Sequence, residues 1–377
     1  MRFPAWFAAV SVAAGTIAST ANAAAAVAPG AGEVVAGGQF TCTLLSTHTV
    51  KCWGYDSSQE LGDGGERDAS SPRSVLRLTG VSDIASGWNS SCAVVLPSDG
   101  IWCWGSDSYG QLGNGRTERS SLPTPVHGLT GAMTVAVGGY DACAVLATSV
   151  ECWGQGDEGQ LGNGVLKMSS TPVTVKDLHS IRSVSVGFAH TCAVRSDGAL
   201  FCWGDNEDGD LGVGTTVESS LPEQVPLSNV LQVAAGGVHT CALIRGGTVD
   251  CWGSNAYGQL GDASRKSAMA PVQVRGLSAV ISISAGENHT CAVLSDHRLQ
   301  CWGDNLTGQL GDGTLTSSKV PRRVLHLTRV TQVTAGGSHT CALLAGGTIA
   351  CWGYGFFGQL GDGKHANATA PVVVLGT

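Results

Sequence analysis

The chain has 377 residues, of which 54 are Gly, 43% are apolar and only 13% are charged. This is the composition of a turn-rich globular protein, with no run long enough to span a membrane beyond the first 30 residues. A formal charge of −8 without any basic stripe argues against a nucleic-acid partner.

The N-terminus reads as an export signal. Arg2 gives a thin positive region, residues 5–18 are mostly Ala, Val, Phe and Trp, and Ala21-Asn22-Ala23 fits the small-x-small cleavage rule. The apolar run is short and has no stop-transfer flank, so cleavage is expected rather than a retained anchor. Residues 1–23 are therefore assigned as signal peptide and the Ala/Gly-rich residues 24–32 as a flexible lead-in. The mature protein is expected outside the cytoplasm, secreted or periplasmic, with no membrane attachment after signal removal.

From residue 33 to 377 one segment recurs seven times, each copy holding a Cys, about ten residues and then Cys-Trp-Gly. The second cysteines, Cys52, Cys103, Cys152, Cys202, Cys251, Cys301 and Cys351, stand 51, 49, 50, 49, 50 and 50 residues apart. A fixed period of this length marks repeated supersecondary units, each too small to bury its own face.

All 14 cysteines fall into within-repeat pairs: Cys42/Cys52, Cys92/Cys103, Cys143/Cys152, Cys192/Cys202, Cys241/Cys251, Cys291/Cys301 and Cys341/Cys351. An even count in an exported chain points to disulfides, and no pair has the C-x-x-C spacing of a zinc or redox site. Strand-forming runs flank a Gly346-Gly347 turn signal in the last repeat. If Leu344 faces Thr348 there, the constant index sum of an antiparallel hairpin sets Cys341 opposite Cys351. The spacing of 9 in the third repeat fits a two-residue turn at Ala147-Thr148, and that of 11 in the second fits a four-residue loop around Pro97 and Ser98.

In the sixth unit, Pro271–Val274, Val280–Ala285, His289–Leu294 and Arg298–Trp302 read as four short strands with a Gly-rich connection, the pattern of a propeller blade. The recurring Ala-Gly-Gly-x-His-Thr-Cys-Ala-Leu … Cys-Trp-Gly-x-Asn-x-x-Gly-Gln-Leu-Gly-Asp-Gly, clearest at Gly253–Asp262 and Gly303–Gly313, closely resembles the regulator of chromosome condensation repeat family. The resemblance runs from about residue 33 to the end and implies an all-β, seven-bladed β-propeller of four-stranded blades. The first unit starts at Glu33 with no Pro-Val strand before it, and the chain ends on Pro371–Val374. The C-terminal strand is thus expected to complete the first blade and lock the ring.

His190, His239, His289 and His339 occupy one repeat position, where the first three repeats carry Phe40, Ser90 and Asp141. A repeated structural hydrogen bond explains them better than a metal ring. Segments such as Gly361-Asp362-Gly363 lack the acidic spacing of calcium loops and read as turns. No phosphate loop, nucleophile elbow or unpaired cysteine is present, so neither a cofactor nor a catalytic set is expected. Acids at Asp157, Glu158, Asp205, Glu207, Asp208 and Asp210 look solvated.

With strands alternating in direction, the Gly-Gly-x loop and the loop after Cys-Trp-Gly emerge on the same face. Tyr55, Trp88, Tyr140, Phe188, Tyr354 and Phe356 sit at variable positions of those loops and are the candidate partner-binding residues. Tyr109, Tyr257 and Phe357 recur before one Gly and read as structural. The expected function is that of a secreted, monomeric, non-enzymatic binding scaffold for a protein with a basic patch. The resemblance also raises guanine-nucleotide exchange on a small GTPase, but no interval leaves room for the inserted wedge that the activity uses in the family's founding member. Inhibition of an extracellular enzyme and glycan binding are the remaining alternatives.

Overall fold

The computed structural model describes residues 30–376, so the proposed signal at 1–23 and most of the lead-in lie outside the described residues. It contains seven antiparallel four-stranded sheets, each built from strands consecutive in sequence. In the first blade the strands are Ala31–Ala36, Phe40–Leu45, Val50–Gly54 and Ala69–Ser74, running from the propeller axis outward. The inner strand begins at Ala31, inside the segment read as lead-in. Its start is fixed by pairing with Leu45 and by a 3.2 Å bond from Ala31 N to Gly347 O of the last blade.

Every hairpin has the register deduced from cysteine spacing. Cys341 faces Cys351, the second repeat turns through residues 96–99, and the third through Ala147-Thr148. Each pair is closed as a disulfide with Cα atoms 4.1 Å apart. Leu344 N donates to Thr348 O, so Cys341 and Cys351, three steps along, form a non-hydrogen-bonded pair, where facing strands approach most closely.

The expected closure by the C-terminal strand does not occur. Ala368–Val373 pairs with the third strand of its own blade, with Val372 opposite Cys351, and Ala69–Ser74 completes the first blade. The same one-strand phase applies throughout: Ala268–Gln273 is the outer strand of blade five, and Val280–Ala285 is the inner strand of blade six. The Pro-containing strand is separated from the next inner strand by five or six residues but follows the third strand by a 14-residue loop. It crosses that loop because the loop is folded on its own hydrogen bonds. In blade five Asn255 accepts from Leu260 N and donates to Lys266 O, drawing the loop ends together. Each outer strand carries a Pro at one shared position (Pro72, Pro123, Pro172, Pro222, Pro271, Pro321, Pro371), and that of the second blade adds Pro125; these prolines guard the free edge against pairing.

The ring instead closes by repeating one blade-to-blade lock. The Cys-Trp-Gly indole of each blade is fully buried, and its Nε1 donates to a backbone carbonyl of the preceding blade, in the Gly-Gln-Leu-Gly segment or at the equivalent Glu60 and Asp210. For the seventh interface, Trp53 donates to Gln359 O at 2.9 Å. The glycine two residues on must be bare: a Cβ at Gly361, whose φ is +68°, would lie 2.7 Å from Trp53 Nε1. Trp-Gly and Gln-Leu-Gly are thus two halves of one contact, which is why they recur together.

The histidines join this lock. His190, His239, His289 and His339 approach Thr240, Thr290, Thr340 and Thr41 of the next blade at 2.8, 2.8, 2.8 and 2.9 Å. Each of these Thr hydroxyls donates its proton to a carbonyl, so each His must donate from Nε2 as the neutral ring. Burial lowers these imidazoles to between about 3 and 4. The structural reading of the histidines therefore holds. Closer to the axis, Gln332 and Thr334 of the last blade accept from Val34 N and Ala36 N of the first.

Asp210 departs from the pattern. In five repeats a Gln stands there and its Oε1 accepts an amide two residues back, as Gln259 does from Tyr257 N and Gln309 from Thr307 N. Asp210 is one methylene shorter, its Oδ1 is buried without a partner, and burial with Asp208 and Asp205 nearby pushes its carboxyl up to about 8. A carboxyl raised in the fold contributes stability below its ordinary range near 4 that is lost as pH rises through 8. Asp210→Gln is therefore expected to raise the Tm more at pH 8 than at pH 5, as scanning calorimetry at both pH values would show. An equal shift at both would refute the assignment.

Candidate functional site

Two sets of loops share one end of the propeller. Three-residue loops (37–39, 87–89, 138–140, 187–189, 236–238, 286–288, 336–338) join inner to second strands, and 14-residue loops (55–68, 106–119, 155–168, 205–218, 254–267, 304–317, 354–367) join third to outer strands. Backbone bonds tie each long loop to its short neighbour, for example Tyr55 N to Gln39 O at 3.0 Å, Gln155 N to Tyr140 O at 2.9 Å and Tyr354 N to Ser338 O at 2.8 Å. The common face expected from strand alternation is present.

The six candidate aromatics fall into two clusters on this face. Trp88 and Phe188 meet edge to face at 5.6 Å, and Phe188 meets Tyr140 at 5.4 Å. Tyr55 and Tyr354 meet Phe357, and Phe356 rests on Tyr354, with Tyr55–Phe357 at 4.7 Å and Tyr354–Phe356 at 5.5 Å. Five of the six are half-buried, while Phe356 is 58% exposed. Their rings rest on one another and leave part of each open to a partner, as recognition anchors require.

Tyr109 and Phe357, expected to be structural, also touch the candidate rings. Their backbone amides serve the repeat by donating to Gln111 and Gln359, but their rings enter the clusters, Tyr109 lying 5.0 Å from Tyr140. Tyr257, at the same position in blade five, remains outside either cluster and partly exposed.

Glu287 carries no signal in the sequence, because a single acid in a loop makes no pattern along the chain. It lines the axial opening with Trp88 and Phe188; the other lining residues are Gly, Ala, Val and Ser. Burial, with Asp304 nearby, raises its carboxyl above the ordinary range. Farther out, Glu158 is likewise raised by partial desolvation, by a hydrogen bond with Glu218 and by the charges of Asp205 and Glu207, so the acids of the third and fourth blades form one cluster.

Charge is segregated between this face and the rest of the molecule. The fourteen loops hold 19 carboxylates against seven Lys or Arg, a formal net −12 that includes the buried Asp56, Glu60, Asp107 and Asp210, whereas the remainder of the chain is formally net +4. Loop 205–218 alone carries five acids and no cation. Among the described residues no group of three or more side chains is arranged to hold a metal ion.

Comparison with known proteins agrees with the blade pattern. The RCC1-like domain family matches residues 133–376, and the regulator of chromosome condensation (RCC1) repeat matches residues 98–145 and, in a second form, 81–111. Human E3 ubiquitin-protein ligase HERC2 is 32% identical over 108 residues, which are 28% of this chain but 2% of that protein. The mitochondrial RCC1 domain-containing protein RUG3 of Arabidopsis thaliana is 33% identical over 118 residues, 30% of this chain and 26% of that protein. The matched stretches thus span a small part of these relatives. Among solved structures, Prp20p of Saccharomyces cerevisiae superposes with a TM-score of 0.78 at 22% identity, covering 90% of this chain and 87% of that one. The CRINKLY WD40 ectodomain of the Arabidopsis receptor kinase ACR4 gives 0.54 at 22% identity, covering 87% and 97%. At such identities the likeness concerns the fold. Because the family pattern covers more than half of the sequence and seven four-stranded blades carry it, the chain belongs to the RCC1-like domain family of β-propellers.

Proposed function

We propose that the mature chain is an exported, non-enzymatic binding propeller that docks a protein with a basic surface on its loop face. The observation that carries this reading is the segregation of formal charge, −12 on the loop face against +3 in the rest of the mature chain, on the face that also presents the two aromatic clusters. Opposed charge steers encounter and sets orientation, while part-buried rings supply the anchoring area. Seven disulfides support an oxidising compartment, where such bonds form and persist. Relatives of this family also bind proteins: Prp20p has been studied for its binding to Gsp1p and histones.

The test is cross-linking capture from the extracellular fluid, comparing wild type with the triple variant Asp205→Asn/Glu207→Gln/Asp208→Asn. A captured protein of basic surface should associate roughly tenfold more slowly with the variant, and with both proteins more slowly at high salt. Capture unchanged by the substitutions and by salt would sink the reading.

A further inference from the structure

The middle residue of the seven short loops reads, around the axis, Gly38, Trp88, Gly139, Phe188, Gly237, Glu287 and Gly337. Large and bare positions alternate by blade from the first to the seventh, and the bare Gly337 and Gly38 meet where the ring closes. The next blade's loop, chiefly its backbone, keeps these positions bare: a Cβ at Gly38 would lie 2.6 Å from Trp88 O and 3.1 Å from its indole. At Gly139 it would lie 2.3 Å from Phe188 O, and at Gly237 it would lie 2.7 Å from Glu287 O and 3.1 Å from its Cγ. On the other side, Gly337 would bring a Cβ within 3.3 Å of the Trp88 ring. Each large residue thus sits over the bare position before it, and the axial mouth is furnished by two aromatic rings and one carboxylate alone.

We propose that this mouth is the anchor pocket of the loop face and takes one cationic side chain, a lysine or arginine projecting from a protein partner. The proposal rests on the docking role given to the face above. The cavity is about 90 Å³, the room of roughly three waters, which suits a guanidinium or ammonium head with its nearest methylenes. Trp88 and Phe188, nearly perpendicular at 88°, present ring surface from two directions, and aromatic faces attract cations. Glu287 is the only charged residue in the seven short loops, and among the described residues no Lys or Arg pairs with it. A neutral apolar guest would strip water from that carboxylate without replacing it, and an anion would be repelled. The pocket is too small to hold a ligand tightly by itself. It lies at the centre of a face of net −12, so its guest is part of a larger basic surface rather than a free metabolite.

The mature protein, in a Trp102→Phe background, would be titrated with N-acetyl-arginine amide, N-acetyl-lysine amide and the apolar control N-acetyl-norleucine amide. Tryptophan fluorescence reports the site, because the seven Cys-Trp-Gly indoles are fully buried whereas Trp88 is not. Saturable binding of the cationic probes is expected with Kd on the order of millimolar, against none for norleucine. Glu287→Gln, nearly isosteric, should weaken the cationic probes about fivefold or more with the circular dichroism unchanged. Equal binding of norleucine, no saturation by either cation, or a Glu287→Gln affinity within twofold of wild type overturns the anchor. The capture experiment separates the two readings. If the blade-four triple variant loses its partner while Glu287→Gln keeps it, the face stands and the anchor falls. If neither variant changes capture, the docking face itself falls.

Discussion

Reduction of the seven disulfides is expected to unfold the propeller, and to do so slowly. Each bridge closes a ring of 10–12 residues, and a ring of that size restricts the unfolded chain by about 2.5–3 kcal/mol. Together they contribute on the order of 19 kcal/mol, beyond the roughly 5–15 kcal/mol that a domain usually holds in reserve. Every cysteine is buried to within 1% exposure, so a reductant reaches the sulfurs only when a blade opens. Dithiothreitol under native conditions should therefore leave the circular dichroism unchanged at first. Loss of signal should then track labelling of 14 thiols, and both should accelerate in urea. A fully reduced protein that keeps its native spectrum would show that inter-blade packing alone suffices. The double variant Cys291→Ala/Cys301→Ala should lower stability by about 2.5–3 kcal/mol with the other six bridges intact.

The tryptophan lock gives the second large effect and an internal comparison. Trp302→Ala should cost about 4–5 kcal/mol, because it empties the space of a fully buried indole between blades five and six. The Phe variants separate packing from hydrogen bonding. Gln259 O receives both Trp302 Nε1 at 2.8 Å and Thr290 Oγ1 at 3.0 Å, so Trp302→Phe leaves it one donor. At the interface of blades one and two, Trp104 Nε1 reaches Glu60 O at 2.8 Å, and no threonine assists because the neighbouring position is Ser91, which instead meets Ser86. Trp104→Phe removes that carbonyl's side-chain donor and should cost about 1–2 kcal/mol more than Trp302→Phe. Urea midpoints of the two variants, measured with disulfides intact, decide it; equal losses would mean the hydroxyls add nothing to the lock.

The parts that were legible in the chain were the local ones. Hairpin register followed from the distance between Cys341 and Cys351, since facing indices sum to a constant, and even the irregular turns at residues 96–99 and at Ala147-Thr148 obeyed the same rule. That the histidines are structural was legible from their alternation with Phe40, Ser90 and Asp141, although their threonine partners one blade away were not. The phase of the blade was misread, because the Pro-Val strand lies closer along the chain to the following inner strand than to its true partner. Only the side chains that fold the 14-residue loop reverse that preference.

The candidate face divides in the same way. Trp88, Tyr140, Phe188, Tyr55, Tyr354 and Phe356 stood out as large residues at variable loop positions, and strand alternation placed them together. Glu287 did not, since the alternation of Gly38, Trp88, Gly139, Phe188, Gly237, Glu287 and Gly337 spans about 300 residues of chain and becomes a neighbourhood only around a closed axis. The sequence by itself determined the repeat, the all-β blades, the cysteine pairs and the family, because these depend on spacings within about 50 residues. Tertiary structure decided how the ring closes, which strand ends a blade, that charge collects on the loop face and that three large side chains converge on the axis. Those outcomes depend on contacts between blades, and the energy of such contacts is set by burial in three dimensions rather than by distance along the chain.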